Sequence, residues 1–535
     1  MHLKKTKRNG RVYLSIVQNY RENGATKTKT IETIGYADAY ADVYPDPIAH
    51  FEDYTARLND EQRRKAAPIE FSFPRDCTID ANRDEAARWG AGLALAYLDA
   101  LEAKKPLVER LSKRDVEDDA VRTDRVFELF AAERVLHAAP KRETWERCAS
   151  FPRQCPFTLV EAYQALPAIA AHDRAIATRM RAAYERIRPD HAPLSCAHVV
   201  LETFTFADTD DVDSAPAKHA HGRLSVSLAM ILDEDGMPAG YRLIDANPDP
   251  TAIRSLAADI KQSLGVQRIV LVAGRLAHAV PIMKALLRAG DGFIMHRSLA
   301  STDDLQNWAA DDQGYTTSRS GNYRIKSRVR SITAADIAPR PDEAGAPRED
   351  AVDASWRGSV RDIVLWGRDY ALRRRADAAG NALEGYAGIV TSEVDLAASE
   401  VFHLYRELWR LVEPFQVLES DFSPSPYPTP RDDHMRAHFA ICYAAFFALR
   451  LMRSDLHWRY NAAQVADALV RMEGSYLSEN WFLFGYRSPV TDAIEQAAGV
   501  DAARRLRTRQ DIRTGIAQAR RHICAPNAES AQPEA

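Results

Sequence analysis

Side chains able to do chemistry are thinly scattered along this 535-residue chain. His434 and His438 stand four residues apart, a spacing that puts both imidazoles on one helix face and can ligate zinc. No Glu follows His434, as the H-E-x-x-H pattern requires, so structural packing is the favoured reading. The six cysteines (Cys77, Cys148, Cys155, Cys196, Cys442, Cys524) lack C-x-x-C spacing and suggest reduced thiols rather than a zinc knuckle or a disulfide framework. Ser392-Glu393 with Asp395 reads as the lead-in to a helix rather than a catalytic dyad. Neither a phosphate-cradling glycine loop nor a nucleophile elbow appears. The net charge of -4 argues against uniform coating of nucleic acid, but it hides local patches. Up to Tyr36, Lys4, Lys5, Lys7, Arg8, Arg11, Arg21, Lys27 and Lys29 face only Glu22 and Glu32. Clustered cations supply the phosphate-neutralising part of DNA affinity; an ordinary solvated hairpin is the other reading.

The elements that must carry these residues follow from periodicity. A chain of this length suggests three or four domains, and no stretch approaches the roughly 20 consecutive apolar residues of a membrane span. Val12 to Val17 and Thr28 to Ile34 read as strands around the turn-prone Glu22-Asn23-Gly24, giving a basic β-hairpin unit over 1–60. Residues 75–190 are helical in pattern, with Pro106, Pro140, Pro152 and Pro156 as punctuation; this is an all-α domain suited to DNA docking or dimerisation. After Pro193 come strands at Cys196 to Phe206, Leu224 to Leu232 and Gly240 to Ile244, with a turn at Asp233-Glu234-Asp235-Gly236. A helix from Pro250 to Leu264, a buried strand from Arg268 to Ala273, a helix from Ala277 to Arg288 and a strand from Gly292 to Met295 complete the series. Three antiparallel-type strands followed by strand-helix alternation is the order of a ribonuclease-H-like core.

That core is expected over 194–295 and 383–455, in a multidomain α/β chain. A polar insertion subdomain at 296–382, with basic clusters at Arg324 to Arg330 and Arg373-Arg374-Arg375, interrupts it. Gly385 to Thr391 reads as a strand, Ala397 to Glu419 and Arg436 to Met452 as helices, and Ser423 to Pro430 as a proline-rich loop. A helical region at 456–525 and a disordered tail at 526–535 end the chain.

At this point the string resembles the DDE transposases of the insertion-sequence-four superfamily, which carry a Tyr-x2-Arg-x3-Glu-x6-Lys signature. The resemblance rests on ordered short stretches: Lys4 to Ser15, Tyr44 to Phe51, Leu232 to Pro238, Gly385-Tyr386 to Ile389-Val390-Thr391-Ser392-Glu393, Tyr405 to Trp409, Phe415 to Leu418 and Arg436 to Phe439. It implies a retroviral-integrase-like (RNase-H-like) fold. It also implies cutting and joining of double-stranded DNA at transposon terminal inverted repeats, by two Mg2+ or Mn2+ ions held by Asp, Asp and Glu. One ion activates the attacking oxygen and the other stabilises the leaving one. A homodimer, a bacterial cytoplasmic location close to the nucleoid when DNA-bound, and no membrane partner go with it.

The resemblance also shows where the acids should be. Glu202 matches the first, with one methylene more than Asp. The second falls on Gly274, in Val272-Ala273-Gly274-Arg275, and Arg275 replaces a lysine expected to touch phosphate. With Tyr405 as anchor, the signature's arginine falls on Leu408, its glutamate on Val412 and its lysine on Glu419. Glu413 is an unfavourable substitute, since one residue turns a helical side chain by about 100°. Asp208, Asp210, Asp211 and Asp213 lie beyond the first strand. One altered acid and two missing ones lead to a protein that binds transposon-end DNA through Lys4, Lys5, Lys7, Arg8, Arg11, Arg275, Tyr405 and Trp409 without cleaving it. Glu202 is then the only metal ligand. The alternative is an active transposase using Glu202 and substitute acids with divalent metal; the product of a decaying gene also stays open.

Overall fold

The computed structural model describes residues 1–8, 10–22, 25–41, 43–44, 46–65, 69–76, 78, 86–108, 123–206, 224–318, 322–337, 354–367, 385–412, 431–478, 480–501 and 503–525. Side chains at 8, 20–22, 25–26, 60–61, 63–65, 205–206, 224, 407–412 and 431 are not among those described. The Asn23-Gly24 turn, Asp208, Asp210, Asp211, Asp213, Arg373 to Arg375, Glu413, Glu419, the 423–430 loop and the 526–535 tail therefore lie outside the described residues. The chain forms two compact units, Met1–Ile79 and Asp80–Ala535.

In the first unit, β1 (His2–Arg8), β2 (Arg11–Glu22) and β3 (Ala25–Tyr36) form an antiparallel sheet in that order. The expected hairpin thus gains a strand, because the lysine-rich start pairs along its whole length, from His2↔Val17 to Arg8↔Arg11. Period-two alternation explains how so charged a segment becomes a strand: Leu3 and Lys5 lie opposite Ile16 and Leu14, the fully buried pair of this sheet. Helix α1 (Pro47–Lys65) packs on β1, and Asp46 accepts from the Ile48 and Ala49 amides at its start.

In the second unit the chain first lays down α2 (Trp89–Ala100), α3 (Thr123–Leu136), α4 (Leu166–Ala171) and α5 (Asp173–Ile187). Strands β4 (Cys196–Phe206), β5 (Leu224–Leu232) and β6 (Pro238–Asp245) follow. Then come α6 (Pro250–Leu264), β7 (Arg268–Ala273), α7 (Ala279–Arg288) and β8 (Gly292–Arg297). The Asp233 turn forms as its residues demand: Gly236 takes a φ of +76°, and Asp233 Oδ1 accepts from the Met237 amide at 2.7 Å. Asp249 caps α6 through the Ala252 amide at 2.7 Å, and Gly265 ends that helix in the left-handed region.

Beyond β8, helix α8 (Asp303–Ala310) and strands β9 (Thr316–Thr317), β10 (Tyr323–Thr333), β11 (Arg357–Gly367) and β12 (Tyr386–Thr391) continue the chain. Helices α9 (Ala398–Val412), α10 (Arg431–Asp455), α11 (Ala462–Arg471), α12 (Pro489–Ala498) and α13 (Arg509–Ile523) complete it. The nine strands form one sheet in the order β9-β10-β11-β12-β8-β7-β4-β5-β6. Pairs β4-β5 and β5-β6 are antiparallel, and β7 and β8 run parallel to β4. The described part of 296–382 is therefore an extension of the central sheet rather than a separate subdomain, since β11 pairs with β12 from Arg361↔Thr391 to Trp366↔Tyr386.

Side chains alternate between two cores. Val199, Leu201, Leu271 and Ala273 face the layer of α6 and α7, while Val200, Val270 and Val272 face the side packed by α9 and α10. The second core continues into a helical body in which α10 packs against α2, α3, α4 and α5, and α2 against α11 and α13. A Cβ at Gly90 would lie 1.9 Å from the Leu469 carbonyl oxygen, so the approach of α2 to α11 requires glycine. The division between 75–190 and 456–525 is not kept: Ala86–Arg88 forms a small sheet with Glu473–Tyr476, Trp481–Phe484 and Leu506–Thr508. Within α10, Asp432–Asp455 is long and apolar enough by length and composition to cross a membrane, containing an 18-residue stretch of mean hydropathy 1.2 of which 94% is buried inside the protein. Its uninterrupted apolar run, Phe439 to Leu449, is far shorter than the roughly 20 residues of a span, and alternating small and aromatic residues make this the central helix of the body.

Candidate functional site

The parallel register of β4 and β7 decides the geometry. Val200 lies opposite Val272 and Leu201 opposite Ala273, the last pair, so Gly274, just past the carboxyl end of β7, comes beside Glu202, which is still inside β4. Alternation puts both on the face of Val200 and Val272, the one that α9 covers. Carboxyl ends of parallel strands are where open α/β sheets bind ligands, since the chain leaves the sheet there and backbone groups and side chains are freed.

Helix α9 approaches this point through Val401, Phe402 and Tyr405, all buried. Its start is fixed by Glu400, whose carboxylate accepts from the Ala397 amide at 2.7 Å. The Tyr405 hydroxyl is pushed up to about 12, chiefly by burial, with Glu202 adding to the shift and Arg275 opposing it. Glu202 and Arg275 therefore each act electrostatically on Tyr405. Arg275 also donates from Nε to His296 Nε2 at 3.3 Å, bringing in the end of β8. Sequence reading named the first three and missed His296, which lies one residue past the expected strand end at Met295.

Burial raises the Glu202 carboxyl above the usual carboxylate range, and among the described residues no hydrogen bond or ion pair offsets that cost. A Cβ at Gly274 would meet nothing within 4 Å, and its φ is not in the left-handed region. Neither packing nor backbone demands a glycine there. Position 412 closes α9 seven residues beyond Tyr405, about two turns along the same face. The side chains of Leu408, Trp409 and Val412 lie outside the described residues.

Two-metal chemistry needs several converging carboxylate oxygens. Among the described residues no group of three or more His, Cys, Asp or Glu is placed to hold a metal ion, so this donor set does not fit such a centre. The other chemical candidates are absorbed by packing. His438 is buried between Lys141 Nζ at 3.5 Å and Cys442 Sγ at 3.4 Å. Burial, then Lys141 and Arg134, hold its imidazole well below its ordinary pKa, a cationic setting hostile to zinc. Glu393 pairs with Arg268, and the Ser392 hydroxyl accepts from the Phe293 amide at 2.9 Å. These residues clamp β12 to β7 and β8, and the lead-in to α9 is instead Ala397 to Glu400.

The basic residues of the first unit divide into two groups. Lys5 pairs with Glu52 at 2.7 Å, and Arg11 forks onto Asp38 at 2.5 and 2.8 Å while covering Tyr36. Lys4 and Lys7 are exposed and make no ion pair among the described residues. The Arg8 side chain lies outside the described set. Residues 2–69 match the IS1634 family transposase N-terminal domain. No curated protein matches the chain. Both N-terminal stretches that carried the resemblance, 4–15 and 44–51, lie inside the matched residues. The match covers the three-stranded sheet and α1, and ends before Asp80–Ala535 begins.

Proposed function

We propose that the chain is a DDE-lineage transposase protein that binds transposon-end DNA without catalysing cleavage or strand transfer. The N-terminal match supports the family and, with it, DNA as the general partner. The strand order β6-β5-β4-β7-β8, three antiparallel strands and then two parallel to the first, supports an RNase-H-like core in Asp80–Ala535. The observation that carries the reading is the register of Glu202 beside Gly274: one position keeps a carboxylate, its neighbour has no side chain, and no other described acid closes the set.

In this account the cations of the first unit supply phosphate neutralisation, and Arg275 and Tyr405 line the place where a DNA end would meet the sheet. The test is binding of the full chain to duplexes carrying the terminal inverted repeats, against scrambled duplexes, across a salt series. Replacing Lys4, Lys7 and Arg8 by Ala is expected to weaken binding and to lower the magnitude of the salt slope by about 0.9 for each phosphate that is no longer neutralised. Binding indifferent to salt and to these changes contradicts the reading.

A further inference from the structure

Residues 501–525 hold seven arginines against two aspartates, a density that strand and helix periodicity passes over. Three of them, Arg513, Arg520 and Arg521, lie on one wall of a groove of about 1130 Å³, between α13 and the turn around Arg153. All three are exposed, and none makes an ion pair among the described residues. The opposite wall carries Arg125, Arg153 and Asp99. Its charges are spoken for: Arg153 bonds Asp99 and Glu128, and Arg125 bonds Glu128 at 2.9 Å. Those cations hold α2 to α3. The three arginines facing them across the groove have no such task among the described residues.

We infer that this groove is a second DNA-binding surface, taking the phosphate backbone of a duplex independently of its sequence. An unpaired guanidinium forks onto phosphate oxygens. Seven residues separate Arg513 from Arg520, about 10 Å along the helix on nearly the same face. That row is too long for one small anion to bridge and suits a polyanion with a charge every few ångströms. Length alone does not make such a site. On β10, Arg324 and Arg328 also line up, but each has an aspartate partner. The groove rests on the reading that DNA is this protein's partner.

The test uses the full chain, a fluorescently labelled 30-base-pair duplex of arbitrary sequence, and a salt titration. The Arg513→Ala/Arg520→Ala/Arg521→Ala variant is expected to drop about two to three units from the salt slope and to bind roughly a hundredfold more weakly at 0.1 M salt. The corresponding triple Arg→Lys variant is expected to keep most of the slope, which separates removal of charge from damage to the fold. An unchanged slope in the alanine variant, with the wild-type chain binding well, overturns the groove alone. Failure of the wild-type chain to bind any duplex overturns both the groove and the reading beneath it.

Discussion

At one edge of the nine-stranded sheet, β10 carries Arg324, Lys326, Arg328 and Arg330, and each meets an acid: Asp312, Asp311, Asp304 and Asp362. Aromatic rings cover three of these cations, Trp308 lying under Lys326 and Arg328 and Trp366 under Arg324. Five strands away, inside β4, Glu202 is half-buried and has no hydrogen bond or ion pair to offset the cost of its withdrawal from water among the described residues. The first cluster is charge used to hold a fold, because each of its cations has an acid partner. The second keeps an acid that the fold does not use, beside a glycine that the fold does not need. We read that imbalance as the mark of a site shaped for something other than stability.

The largest expected effect comes from breaking the balanced side. Asp362 is 1% exposed and accepts from Arg330 at 2.6 and 3.2 Å. Asp362→Ala leaves guanidinium charge at the sheet edge without its acid and is expected to cost roughly 2–4 kcal/mol, read as a lower thermal midpoint. A midpoint unmoved by this change would mean that the edge cluster is decorative.

Next is Gly274→Asp, which places a second carboxylate in open space beside the first. The variant is expected to fold and to gain a thermal upshift with MnCl2 of about 2–3 kcal/mol at a hundredfold excess over Kd. The wild-type chain is expected to show none. An equal manganese response in both proteins would mean that the existing acids already suffice.

Smaller still is Glu202→Gln. A carboxyl whose folded pKa is raised holds its proton more tightly in the folded state. Its contribution is therefore complete below the ordinary glutamate value and is lost as pH rises through the raised one. The glutamine variant is expected to be the more stable protein at pH 8, by less than about 1 kcal/mol after screening by solvent. The difference should vanish in acid. A less stable variant at pH 8 would reveal a partner for this carboxylate. The smallest effect belongs to Glu52→Ala in the first unit, where both members of the Lys5 pair are about half exposed. Stability should move by under about 0.5 kcal/mol, while the freed Lys5 tightens DNA binding in a low-salt titration.

Much of the second unit was legible because its signals are local. The runs at Arg268 to Ala273 and Gly292 to Met295, the Asp233 turn and the Asp249 cap each declare themselves within a few residues. Long-range pairing was not legible. Nothing in 323–367 announces that its strands extend the central sheet, and nothing in 86–88 announces partners nearly four hundred residues away. The lysine-rich β1 was missed because its pattern is masked by charge, although Leu3 lies opposite the buried Ile16. At the site, Glu202, Gly274, Arg275 and Tyr405 could be named from family order. The contribution of His296 needed the register of β8, and Arg513, Arg520 and Arg521 of α13 needed a map of which cations have ion-pair partners among the described residues.

The most direct measurement is a nicking assay of the purified chain on duplexes carrying the element's terminal inverted repeats, with Mg2+ or Mn2+. The account expects bound but uncut DNA under either ion. Metal-dependent nicking that Glu202→Ala abolishes would contradict it.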